Sequence, residues 1–185
     1  MRKTHGIAAV MVVVAGVLGA VQPVSAAEPL DQVTVPLELA YFDEAVAAQN
    51  GFKIVTKSDG SQDSVPVTAE ARNMIAKQAR HTVIGPCGES SLTMSRVGGT
   101  RQVHFTTTFA VKAPTVYHNW NVDLTRQGKK WSHNLSGGPT RGTWGTSRIT
   151  NTGNNQGVRG EVRAGSHALL VNGAVCYSGG PNSGT

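Results

Sequence analysis

At 185 residues, with 15% charged side chains and 22 glycines, the chain has room for one ordinary domain and too little charge for a long coiled coil. Two cysteines cannot build a four-cysteine metal site or a cysteine-dense scaffold. A formal net charge of +6 leaves anionic partners open.

The N-terminus reads as an export signal. Arg2 and Lys3 precede an apolar run from Gly6 to Val21, Pro23 breaks it, and Val24-Ser25-Ala26 offers the small residues that a signal peptidase reads. The run falls short of the ~20 residues needed to cross a bilayer, so no stable membrane insertion is expected. Cleavage after Ala26 leaves a chain near +4, and its charge is unevenly spread. Residues 27–70 carry about −6, whereas residues 71–185 carry about +10.

The texture changes near the same place. Thr34 can cap a helix with Pro36 in its first turn, Leu37, Ala40, Tyr41, Ala45 and Ala48 recur at helical spacing, and Asn50-Gly51 ends it. Phe52 to Thr56 then reads as a strand, Ser58 to Ser61 as a turn, and Thr68 to Arg80 as a second helix. From about His81 the pattern is strands and tight turns. Val103, Phe105, Thr107, Phe109 and Val111 alternate with polar partners, and Val116, His118, Trp120, Val122 and Leu124 form another inward series. Val97 to Thr100, Gln127-Gly128 and Asn172-Gly173 are hairpin chemistries. The expected fold is therefore mainly β: an antiparallel β-sandwich or barrel-like domain with a short helical N-terminal segment. In domain terms, 1–26 is a signal peptide, 27–80 an acidic and partly helical segment, and 81–185 a basic β-rich domain.

In an exported chain, Cys87 and Cys176 are expected to form one disulfide, tying the first strand of the β-rich domain to its last. Gly85-Pro86-Cys87-Gly88-Glu89-Ser90, Tyr117-His118-Asn119-Trp120 and the stretch from Asn172 to Pro181 resemble a family of small secreted Gram-positive bacterial proteins. Those proteins share one disulfide and a Cys-Tyr-Ser-Gly-Gly-Pro ending. The resemblance implies export, the disulfide and a β-rich body, and it transfers no catalytic residues.

No nucleophile elbow, His-Glu-x-x-His, phosphate loop or calcium loop occurs. His81, His104, His118, His133 and His167 are too scattered for a local zinc motif, so neither metal nor cofactor is expected. What remains is a surface. Arg126, Lys129 and Lys130 cluster beside Trp131, and Arg141, Trp144 and Arg148 follow. Cations interleaved with aromatics can hold phosphates and stack on rings. The expected function is a non-enzymatic binding or structural module, secreted or wall-associated, engaging anionic wall polymer, glycan or an extracellular protein. Two alternatives stand beside it. One is an inhibitor of secreted peptidases presenting the loop 134–139 or 151–157, and the other is a hydrolase whose site is assembled around a histidine such as His118 or His133.

Overall fold

A computed structural model describes residues 32–78 and 85–185. The expected signal peptide, the expected end of the second helix at Arg80, and His81 lie outside the described residues. In chain order the elements are β1 (Gln32–Phe42), α1 (Glu44–Gln49), β2 (Phe52–Thr56), β3 (Gln62–Pro66) and α2 (Ala69–Gln78). They continue with β4 (Gly88–Arg96), β5 (Gln102–Val111), β6 (Thr115–Asn119), β7 (Asn121–Arg126) and β8 (Lys129–Asn134). The last are β9 (Thr143–Asn151), β10 (Arg159–Val162), β11 (His167–Leu170), β12 (Ala174–Ser178) and β13 (Asn182–Gly184).

The fold is mainly β, with antiparallel sheets curled into a half-barrel and, among the described residues, two short helices. A seven-stranded sheet runs β6-β11-β12-β1-β4-β5-β9, and a four-stranded sheet runs β13-β10-β7-β8. The alternation read along β5 and through β6 and β7 holds. Phe105, Phe109, Trp120, Val122 and Leu124 are buried between the sheets with Leu92 and Met94. Trp120 stands between β6 and β7, where the chain leaves the large sheet for the small one. Its indole Nε1–H donates to Thr107 Oγ1 at 2.9 Å, so the corner is fixed by packing and by one satisfied donor. Gly160 in β10 has no side chain where one would collide with Met94, and this lets the small sheet settle onto β4.

The helix expected over 34–50 is corrected. Residues 32–42 form β1, and only Glu44–Gln49 is helical, capped by Asp43 Oδ1 accepting from Val46 N–H at 3.0 Å. Two periods overlap in this segment. Val33, Val35, Leu37, Leu39 and Tyr41 also recur at spacing two, and that spacing prevails because sheet partners are waiting on both sides. Pro36 fits because β1 is staggered. Gln32 to Leu37 pair with β4 and Leu37 to Phe42 pair with β12, so the side of Pro36 away from β4 faces no strand. The second helix forms as expected at its start, where Ala71 N–H donates to Thr68 Oγ1 at 3.2 Å.

The disulfide joins Cys87 to Cys176 with 5.8 Å between their Cα atoms. It does not tie first strand to last, because Asn182–Gly184 adds a further strand beyond β12. It stitches β12 to the start of β4 where β1 passes from one to the other: Leu39 is opposite Cys176 and Leu37 is opposite Gly88.

Candidate functional site

The basic and aromatic residues gather around two sheet edges. β8 ends the small sheet and β9 ends the large one, and the two are not hydrogen-bonded as strands. They meet through side chains instead: His133 Nε2 and Thr150 Oγ1 are 3.0 Å apart, and the His133 ring lies 5.1 Å from Phe105. Alternation along β8 puts Lys129, Trp131 and His133 on the side of this seam, and alternation along β9 puts Trp144, Thr146, Arg148 and Thr150 there. The Gln127-Gly128 turn sets the first of these registers. Both residues have positive φ, 47° and 76°, as a type I′ hairpin turn requires, and Arg126 opposes Lys129.

The seven candidate residues do not act alike. Lys129 is exposed at the hairpin, and Trp131 is half-buried against the core. Lys130 points to the other face of the small sheet, where its Nζ lies 2.7 Å from Asp123. Arg126 donates to the Gln156 carbonyl at 3.1 Å, which turns it away from Lys129 toward the 151–157 loop. Arg148 is exposed and donates to Thr146 Oγ1 and to the Ser147 carbonyl. Trp144 is half-buried, stacked at 5.3 Å on Phe109 and 4.5 Å from His118. Arg141 is exposed in the loop that leads into β9. The structure thus groups Lys129, Trp131, Arg148 and Trp144 along the seam and removes Lys130 from it.

Asp123 explains the removal of Lys130. Its side chain is buried, and Arg163 donates to both of its oxygens at 2.8 and 2.6 Å. These bonds, with Lys130 and Ser132 adding to them, hold the carboxyl far below the usual carboxylate range against the opposing effect of burial. Asp123 is therefore an anchor for the outer face of the small sheet, and Lys130 belongs to that anchor.

His118 is buried against the rings of Phe109 and Trp144, as its place in the inward series suggests. Gly137 lies against the imidazole so closely that a Cβ there would stand 3.0 Å from Cε1. Neither ring nitrogen has a well-formed hydrogen bond. Burial pushes the His118 pKa down, opposed by the Leu135 and Gly138 backbone. Burial also lowers His133, and the Arg148 charge adds to this. Among the described residues no histidine is ion-paired with a carboxylate, and no three His, Cys, Asp or Glu side chains are placed to hold a metal.

Both candidate inhibitory loops lie against the body. Leu135 is buried, and Gly137 exchanges backbone hydrogen bonds with His118. Asn155 donates to the carbonyls of Val97 and Thr100 and receives Thr185 Oγ1 at its own carbonyl. Among the described residues no helix is long and apolar enough to cross a membrane. Comparison with family models, with curated proteins and with solved structures finds no match.

Proposed function

We propose that this chain acts outside the cell as a non-enzymatic binding module, and that the seam between β8 and β9 holds a polyanion such as wall phosphate polymer or acidic glycan. One observation carries the reading: two sheet edges place Lys129, Trp131, Arg148 and Trp144 along a single seam. Cations there attract a charged polymer, and the half-buried indoles offer ring faces beside them. The disulfide, the export-like N-terminus and the family resemblance support an oxidising, extracellular setting. Charged residues on open edges also deter edge-to-edge aggregation, so their function is decided by binding.

The test is retention of the full chain on insoluble cell wall and on heparin across a salt series. Retention should fall steeply with salt, because the screening length shrinks from about 8 Å at physiological ionic strength to about 3 Å at 1 M. Lys129→Glu with Arg148→Glu should weaken retention with little change in melting temperature. Retention that ignores both salt and this double substitution rejects the reading.

A further inference from the structure

A second surface lies on the opposite side of the large sheet. Registers across β6, β11, β12 and β1 align Asn119, His167, Tyr177 and Glu38 in one row. Neighbouring strands are about 4.8 Å apart, so the row spans about 14 Å. Tyr117, on the same face and two residues from Asn119, meets the edge of His167 with ring centroids 5.9 Å apart, and His167 lies 5.0 Å from Tyr177. Tyr117, Asn119 and Glu38 are exposed, while His167 and Tyr177 are half-exposed. We propose that this row is a saccharide-binding strip for a short chain of linked neutral pyranoses, separate from the polyanion seam.

The chemistry of the row selects that ligand class. Pyranoses present apolar C–H faces to aromatic rings and hydroxyls to polar groups beside them, and this row sets two adjacent rings between two polar side chains. His167 Nδ1 lies 2.8 Å from the Gly165 carbonyl, an acceptor only, so Nδ1 donates there and Nε2 is the ring nitrogen left to meet a ligand. Tyr117 Oη, at 3.5 Å from Nε2, is too distant to satisfy it well and leaves it for a ligand hydroxyl. Asn119 Oδ1 already accepts from Asn121 and Ser136, which leaves the amide NH2 as the donating end. The exposed Glu38 carboxylate at the end of the row disfavours an anionic polymer. The ring planes are inclined at 77° and 45°, which suits a single twisted chain and not the flat face of a crystalline polysaccharide.

Titration of the isotopically labelled full chain with tetra-N-acetylchitotetraose, and separately with cellotetraose, tests the proposal by amide shifts and calorimetry. At least one saccharide should perturb Tyr117, His167 and Tyr177 together, and its binding should be indifferent to salt. Tyr177→Ala and Tyr117→Ala should each weaken that binding by about tenfold, a change of 1.4 kcal/mol. Tyr177→Phe should retain it, and so should the Lys129→Glu, Arg148→Glu double variant that disables the seam. The exposed position of Tyr117 makes its alanine variant the one that folds normally. No perturbation with either saccharide, or perturbation centred on Trp131 and Trp144, overturns the proposal. So does displacement of the saccharide by a proline-rich peptide that binds the same rings more tightly.

Discussion

Trp120 carries the largest single-residue expectation. It is fully buried, its indole nitrogen is satisfied, and it turns the chain between sheets. Trp120→Ala should cost about 3–5 kcal/mol in urea unfolding, and acrylamide should quench the native tryptophan slowly at this site. Two histidines set the acid response. Because burial depresses His118 and His133 in the folded state, the unfolded chain binds the extra protons first. Their stability contribution is therefore complete above about pH 6.5 and declines as pH falls from there toward the lower folded values. Asp123, whose folded pKa is also depressed, adds a separate loss once pH drops below about 4. Melting temperature measured from pH 8 to pH 3 should show both phases, and His118→Leu should flatten the first. An unchanged first phase in that variant would assign it to His133 alone.

At the scale of the element, the β7–β8 hairpin separates two lysines that the sequence presents as a pair. Lys129→Glu should leave the melting temperature nearly unchanged. Lys130→Glu places a carboxylate beside buried Asp123 and should cost about 2–3 kcal/mol, below the loss for a wholly buried pair because both cations are half exposed. Differential scanning of the two variants checks this directly. The alternation that makes the lysines differ is visible in the sequence, as are β5, the inward run through Trp120 and the Gln127-Gly128 turn. What hides Lys130's role is Arg163, which follows β10 directly and shares Asp123 with that lysine, because no local pattern announces that β10 pairs with β7. The aromatic row was hidden by a single residue of register. A two-residue Asn172-Gly173 turn would oppose Ala168 to Tyr177, but the loop takes in Val171 as well, and His167 becomes the partner. β1 was obscured differently, since its apolar residues satisfy helical and strand spacing at once and only its distant partners decide between them.

For the molecule as a whole, the decisive feature is the stagger of β1. Its first half completes one arm of the large sheet, its second half completes the other, and the disulfide crosses the same junction. A chain of residues 81–185 alone should therefore fail to fold cooperatively, and a broad or absent thermal transition would be the readout. Cys87→Ser should keep the fold but lower its stability by less than the roughly 4.5 kcal/mol that the chain-entropy picture assigns to so long a loop, since β1 still bridges the arms. The same stagger has a kinetic side. The segment that leaves the ribosome early must wait for a partner strand near the far end of the chain, so the large sheet cannot close until nearly all of the polypeptide is present. Such long-range pairing slows folding. A slow closure keeps the chain threadable for longer, as the extracellular role proposed above would require of a chain that crosses a membrane unfolded.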